Sequence, residues 1–531
     1  MDSLRFRTVL QSSPQPHDIR AEVNGMEEVR PFRRYFWSPI RPTAVGFALL
    51  LGVLMLAGAG KAVLYDTLDP DLFWHLRVAD QLDVQRYPAP LVDDLSFASI
   101  KTAWTPYSWL ADLAFKRLWD AGGFRAAIVA QAAMTAGLVL FISLSALEIT
   151  IERFGRPRYL AAALAGFAGE FLALPYLSFR PVTIVLVLLT AAAWLLQRDR
   201  RLNQQSWLVW LVAPIAALMI NIHLYAVFLP AAVMGLLAGA IWDHRGARRY
   251  FAMFALTSAA CLMTPMLPGV IEAAWHYQFA DVMVAGHVIA EMQPFYYGQF
   301  GFIAAGLVLA IVIAAIFNRR ALSSAQWLWL AGGLLVMLRL GRFAPVFAIF
   351  AAPTLAVTLP RLSDLPLARR TTHLALAMLL LVACFRISSS FPNDQTTLST
   401  WINRMGPDCG GYPTLAADFV ADHIPPRSHH LISEFTWGGY LEWRLGDCWQ
   451  VLMDGRTQLY TADFWKTVYL GTPQARKDYL AVLTADAAIL PVKGSAFRQD
   501  LLDLGWRAVW RDERAEVLVP GKKESMKGVK V

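Results

Sequence analysis

The stretch Asp66-Thr67-Leu68-Asp69-Pro70-Asp71-Leu72-Phe73-Trp74-His75-Leu76 follows directly on the first long apolar run of the chain. Three carboxylates and a histidine beside lipid are retained where they have water, partners or work. A carboxylate in such a place can take a proton from a nucleophile, or share a divalent cation with other oxygen ligands. Three further polar features stand at the ends of apolar runs, Arg180, Asn221 with His223, and Arg339 with Arg342, while Glu291 lies in a longer loop, 268–299, that has no Lys or Arg. A guanidinium stays charged and grips phosphate oxygens in a fork, so Arg180, Arg339 and Arg342 are candidate phosphate ligands. His75, Asn221, His223 and Glu291 are candidates for supporting or substrate-binding roles. A hydrogen-bonded structural role is the alternative for each, and neither histidine fits a zinc-ligand spacing.

The elements that carry these residues follow from composition. Hydrophobic residues make up 56% of the 531 and charged residues 17%. The apolar residues fall in blocks of a length that spans the roughly 30 Å hydrocarbon core of a bilayer. The reading is a polytopic α-helical membrane protein with spans near 43–60, 124–147, 159–176, 182–197, 206–221, 224–242, 250–267, 300–317, 325–340, 343–359 and 372–387, about eleven in all. Arginine clusters at 153–158, 198–201, 245–249, 319–320 and 361–370 occupy alternate loops, which puts the N-terminus inside and the C-terminus outside. The net charge of +8 is thereby explained by orientation in a bilayer, not by nucleic acid. Residues 1–40 read as a cytoplasmic tail and 41–388 as the transmembrane domain, with the first span as a retained signal anchor. All the candidate chemistry then converges on the outer face.

The first outer loop, 61–123, is too long to be a simple connection. Asp69 is placed to cap a helix, Pro70 suits its first position, and Asp71 answers the exposed amides of the first turn. Leu72, Phe73, Leu76 and Ala79 recur at helical spacing, so a short amphipathic helix lying on the membrane surface is expected. Asp71 and His75 share one of its faces. Residues 389–531 are mostly too polar to span and read as a soluble α/β domain outside the membrane. The expected elements are a helix over 415–424, strands over 430–435, 450–454 and 485–490, and a hairpin over 507–519. Gly438-Gly439 and Asp454-Gly455 read as turns. Cys409 and Cys448, on the oxidising side, are expected to form a disulfide, whereas Cys261 and Cys384 lie in spans.

Asp69-Pro70-Asp71-Leu72-Phe73-Trp74-His75-Leu76, Asp94-Leu95-Ser96-Phe97 and Ser108-Trp109-Leu110-Ala111 resemble the bacterial membrane proteins of the GT-C glycosyltransferase superfamily, which includes polyprenyl-phosphate-sugar-dependent enzymes. Ser178-Phe179-Arg180-Pro181, Asn221-Ile222-His223, Glu291-Met292-Gln293-Pro294, Arg342-Phe343-Ala344-Pro345, Trp437-Gly438-Gly439-Tyr440 and Met453-Asp454-Gly455-Arg456 continue the resemblance in the same order. Met292 departs from it, standing where the pattern has tryptophan. The resemblance implies transfer of a sugar from a polyprenyl-phosphate donor to an acceptor outside the cytoplasm, whether glycolipid, polysaccharide or protein, at the cell (inner) membrane. It also implies an acidic residue in the first outer loop, the place of Asp69 and Asp71. Either is the expected base, with inversion at the sugar carbon, since a lipid-phosphate donor needs no covalent enzyme intermediate. No cofactor is required by this reading, although Asp69, Asp71 and Glu291 are of the right type to hold Mg²⁺ or Mn²⁺. A non-catalytic scaffold in envelope polysaccharide assembly is the alternative. A transporter is disfavoured, because the spans are clean of polar residues near their middles.

Overall fold

Most of the described chain is helix because most of it is apolar at helical period. The computed structural model describes residues 42–64, 68–84, 90–99, 103–286, 289–358, 381 and 411–521. From Gly46 onward the described residues form one compact unit. In chain order the helices of the first part are α1 (Pro42–Leu64), α2 (Asp71–Val84), α3 (Trp109–Phe154), α4 (Tyr159–Ala173), α5 (Pro181–Arg201), α6 (Val212–Ile220), α7 (Phe228–Trp242), α8 (Arg248–Ala260), α9 (Leu267–Trp275), α10 (Val282–Ala285), α11 (Gly298–Phe317), α12 (Ser324–Arg339), α13 (Ala344–Ala351) and α14 (Leu355–Thr358). A two-stranded ribbon of β1 (Leu91–Val92) and β2 (Ala103–Trp104) lies in the first loop.

Helices overlap ten of the expected spans, and the expected span at 372–387 lies almost wholly outside the described residues. Among the described residues, five helices are long and apolar enough to cross a membrane: 109–154, 159–176, 181–201, 224–242 and 341–358. Some expected spans are shorter as helices. α8 has 13 residues, about 20 Å of helix, before the chain turns at Cys261. α3 runs to 46 residues and begins well before the expected 124, interrupted only at Gly123, whose φ of 55° lies in the left-handed region open to glycine.

α4 packs against α3 and α13 through small residues. Ala161, Ala162, Ala163, Ala165, Gly166 and Gly169 are buried, and Gly169 lies so close to Ile142 that a methyl group there would meet it at 2.8 Å. α5 carries arginine at both of its ends. Arg180 precedes its N-terminus, and Arg198, Arg200 and Arg201 close its last turn, about 30 Å away for 21 residues. At that far end Arg200 pairs with Glu152 at 2.8 Å, Arg201 with Glu148, and Arg249 with Asp199 at 3.0 Å.

The C-terminal part comprises α15 (Thr414–His423), β3 (His430–Ser433), α16 (Phe435–Leu445), β4 (Gln450–Val451), α17 (Ala462–Val468), α18 (Pro473–Val482), β5 (Ala487–Pro491), α19 (Ala496–Asp503), β6 (Arg507–Arg511) and β7 (Ala515–Val519). Its five strands lie in the order β4-β3-β5-β7-β6, parallel among β4, β3 and β5 and antiparallel at β5-β7-β6. The expected strands and hairpin are present, but Gly438-Gly439 is no turn. It lies inside α16, where the absence of side chains lets the helix press on two backbones: a methyl at Gly438 would meet the Met453 carbonyl at 1.9 Å, and one at Gly439 the Pro70 carbonyl at 3.1 Å. Cys448 is exposed and its thiol is free; Cys409, its expected partner, lies outside the described residues.

α2 departs most from expectation. It does not lie open with one apolar face; nine of its 14 residues are buried, because it is covered on both flanks. On the bundle side Leu68, Leu72 and Leu76 pack with Phe115, Ile128 and Phe179. On the other, Phe73 meets the rings of Tyr412, Tyr440 and Trp443 at 5.1–5.2 Å, while Trp74, Val78 and Leu82 join the core beneath the C-terminal sheet. The first outer loop, beyond α2, is stitched to the edge of that sheet. Phe97 N–H donates to the Val451 carbonyl and Val451 N–H to the Leu95 carbonyl, both at 3.0 Å.

Candidate active site

Asp69 caps α2 as expected: its Oδ1 accepts the Asp71 amide at 3.1 Å. That leaves Oδ2, which faces Arg180 Nε at 3.2 Å. Arg180 is held by its own turn, where Nε donates to Ser178 Oγ at 2.8 Å and Thr183 Oγ1 donates to the Ser178 carbonyl at 2.6 Å. Phe179, 2% exposed, anchors the turn in the core beside α2. From this position Arg180 Nη1 donates to Asp71 Oδ2 at 3.4 Å and to Glu291 Oε1 at 3.3 Å, and Nη2 donates to Glu291 Oε2. One guanidinium is thus shared by three carboxylates from two separate segments, the start of α2 and the turn that carries Glu291.

Glu291 sits in a short 3-10 turn, Ala290–Met292, packed on a second such turn, Gly341–Phe343, which carries Arg342. Arg342 Nε donates to Tyr225 Oη at 3.0 Å, Nη1 lies 3.6 Å from Met292 Sδ, and Nη2 is 3.9 Å from Glu291 Oε1. A thioether is a weak acceptor, so two of the three nitrogens of Arg342 remain poorly satisfied. Met292, the departure from the family pattern, is buried and forms part of this wall. Burial alone would raise Glu291, but the charges of Arg180 and Arg342 more than offset it and hold its carboxyl below the usual range.

Asp71 has the opposite balance. Trp74 Nε1 donates to its Oδ1 at 3.2 Å and Arg180 to its Oδ2, yet burial and the neighbouring charge of Asp69 push the carboxyl up to about 6. The cause is desolvation first. Gly455, from the C-terminal part, closes over it. A methyl group at 455 would come 2.2 Å from Asp71 Oδ1 and 2.9 Å from Trp74 Nε1.

His75 stacks on Trp74 with ring centroids 3.6 Å apart, and its Nδ1 lies 2.5 Å from Asp112 Oδ1, which also accepts from Ser108 Oγ at 3.2 Å. That bond orients the ring, with Nδ1 on Asp112 and Nε2 left to the cavity that His75 lines. Asp112 is fully buried and was not among the expected site residues, because the sequence places it in the outer loop 61–123, whereas the structure places it in the first turn of α3. His223 is buried as well. Its Nδ1 accepts the Tyr225 amide at 3.2 Å, and burial together with the charges of Arg342 and Arg180 pushes the imidazole well below its usual value, so it is neutral with Nε2–H as donor.

These groups line one cavity of about 860 Å³, whose remaining wall is largely apolar and includes Leu172, Val227, Phe228 and Phe295. Asp69, Asp71, His75, Arg180, His223, Glu291 and Arg342 all border it. Two expected members do not. Asn221 is consumed in bracing, accepting from Trp109 Nε1 at 2.8 Å and donating to the Ala217 and Met263 carbonyls at 2.7 and 2.9 Å. Arg339 is exposed at the end of α12, outside the lining. Asp112 and Tyr225 were not among the expected site residues, and Gly455, expected only as part of a turn and of a motif, also borders the cavity with Thr457. As arranged, the three carboxylates named as possible Mg²⁺ or Mn²⁺ ligands do not fit an ion: each gives an oxygen to Arg180, and among the described residues no group of three or more His, Cys, Asp or Glu is placed to hold a metal.

No protein-family model matches the sequence, and no curated protein sequence does. Solved structures do match. The archaeal oligosaccharyltransferase AglB from Archaeoglobus fulgidus, in complex with an inhibitory peptide and a dolichol-phosphate, superposes with a TM-score of 0.56 at 12% identity, over 84% of this chain and 69% of that one. An Archaeoglobus fulgidus oligosaccharyltransferase in complex with Zn and sulfate gives 0.50 at 14% identity, over 83% and 68%. ArnT from Cupriavidus metallidurans, in the apo state, gives 0.47 at 15% identity, over 90% and 98%. The chain has the GT-C fold, the fold expected from its motifs.

Proposed function

We propose that the protein is a multi-pass membrane glycosyltransferase that moves a sugar from a polyprenyl-phosphate donor to a glycan, lipid or protein acceptor outside the cytoplasm. The observation that carries this reading is a single cavity in which a carboxylate raised to about 6, Asp71, shares space with a guanidinium that has donors to spare, Arg342. The dolichol-phosphate bound by the AglB structure supports a lipid-phosphate donor in a fold of this kind. Sidedness is part of the proposal. The arginine clusters at the far end of α5 support a cytoplasmic N-terminus, and the site at its near end then faces outward.

Asp71 is the base. A general base works best with a pKa near the working pH, and a carboxyl at about 6 is closer to that than an ordinary aspartate. Asp69 keeps one oxygen on the α2 amide and the other on Arg180, so its task is to hold the site together. In the transfer, the acceptor hydroxyl oxygen bonds to the anomeric carbon as its proton passes to Asp71. The carbon–oxygen bond to phosphate breaks on the opposite face, and the electron pair leaves with the phosphate oxygen. One displacement inverts the anomeric centre. Arg342, oriented by Tyr225, and the Nε2–H of His223 are the groups that meet the growing phosphate charge. The reading is tested by mass spectrometry of envelope glycolipids and glycans from cells lacking the protein. It requires an accumulated polyprenyl-phosphate sugar together with a missing substituent; unchanged lipid and glycan pools would contradict it.

A further inference from the structure

Asp69, Asp71 and Glu291 come from the α2 cap, the first turn of α2 and the Ala290–Met292 turn, and are drawn to one point. Three carboxylates facing each other in a buried place demand a cation, since like charges at short range cannot all ionise unneutralised. The cation present is covalent. Arg180 approaches Asp69 at 3.2 Å and Asp71 at 3.4 Å and pairs with Glu291 through Nη1 and Nη2. All three of its nitrogens are engaged, and the Ser178–Thr183 turn and the buried Phe179 fix its backbone.

The geometry points to Arg180 as the resident cation of this site: it stands at the meeting point of the three carboxylates, and the protein works without a divalent metal. Three properties of a guanidinium make this effective. It is charged at every working pH, its fork matches two carboxylates at once, and it cannot be lost to a chelator. It also divides labour between the two arginines of the cavity. Arg180 is saturated by protein acceptors and serves as scaffold, which leaves Arg342 to the phosphate. This inference rests on the transferase reading for its functional half, but its structural half stands on metal binding alone.

The full-length protein, purified in detergent without chelator, is analysed for metal content after equilibration with Mn²⁺, and its thermal unfolding is followed with EDTA and with Mn²⁺. The wild type is expected to hold no stoichiometric Mn²⁺ and to melt at the same temperature in both. Arg180→Ala leaves three carboxylates without their cation and is expected to melt higher with Mn²⁺ than with EDTA, a difference absent in Arg180→Ala combined with Glu291→Gln. Arg180→Lys, which keeps a charge but loses the fork, is the companion should the alanine variant fail to fold; it is expected to melt below the wild type and still to ignore EDTA. Stoichiometric Mn²⁺ on the wild type that is lost in Glu291→Gln, or a wild-type melting temperature that falls with EDTA and recovers with Mn²⁺, overturns the inference. Transfer is measured separately with and without EDTA. Activity abolished by EDTA and restored by Mn²⁺ overturns metal independence while leaving the transferase reading intact, and intact metal independence with no transfer under any condition sinks only the latter.

Discussion

Gly455 lies against Asp71 so closely that a single methyl group at 455 would stand 2.2 Å from the carboxylate oxygen Oδ1. The C-terminal part therefore supplies a wall of the site, and the contact gives a conservative probe of it. The φ of Gly455 is outside the left-handed region, so alanine suits the backbone. Gly455→Ala is expected to fold and to lose transfer by on the order of a hundredfold through displacement of Asp71. Melting temperature and transfer, measured on the same preparation, check both halves.

Asp71 links pH to rate and to stability in opposite senses. As a base it must be ionised, so transfer should fall on the acid side with a limb near 6. For stability, its carboxyl is raised by folding from an ordinary 3.8 to about 6. A raised group contributes stability fully below the lower value and loses it as pH climbs through the upper one. Asp71→Asn removes that loss. The variant is expected to be inactive yet to melt at or above the wild type at about pH 8, two units above the raised value, a comparison that thermal unfolding makes directly.

His75 and Asp112 form a buried pair 2.5 Å apart whose free nitrogen opens on the cavity. Asp112→Ala removes the partner of Nδ1 and leaves the imidazole without the bond that orients it. Transfer should drop by about tenfold or more, the usual effect of losing a partner that orients a site histidine. Steady-state kinetics of the variant, with a melting curve to show that it is folded, test the pair.

Some of this was legible from residue types and order. Asp69, Pro70 and Asp71 spell a helix start, Arg180, His223 and Arg342 announce themselves by standing at the ends of apolar runs, and Glu291 by its place in a long loop without Lys or Arg. Local sequence could not say which of them use up their hydrogen bonds elsewhere, as Asn221 does on Trp109, Ala217 and Met263. Nor does it distinguish Arg339, exposed at the end of α12, from Arg342 three residues later. The glycines were misread for a physical reason. Gly438 and Gly439 look like turn formers, yet they are needed in a helix because two backbones pass close by, a property of tertiary packing alone. The burial of α2 on both flanks is likewise invisible until the C-terminal sheet is in place.

A second buried cluster ties the first loop to that sheet and carries Gly455 with it. Arg456 is fully buried and bonds Asp454 on Nε and Nη2 and Asp93 on Nη1 at 2.8 Å, with Glu442 3.8 Å away. Burial and the neighbouring charge of Asp454 push Glu442 well above the usual carboxyl range, so it keeps its proton. Glu442→Gln should then be nearly neutral in stability. Arg456→Gln strands Asp93 and Asp454 and is expected to cost about 3–5 kcal/mol. Denaturation of the two variants side by side checks the contrast.

The central claim is that Asp71 drives transfer from a polyprenyl-phosphate sugar, and it is tested most directly on purified protein in proteoliposomes. The donor is the polyprenyl-phosphate sugar extracted from cells that lack the protein, and the acceptor is the envelope glycan fraction of the same cells. Wild type should consume the donor and release polyprenyl phosphate as the acceptor gains sugar, while Asp71→Asn, equally folded, should leave the donor intact. Consumption at the same rate by Asp71→Asn would contradict the account.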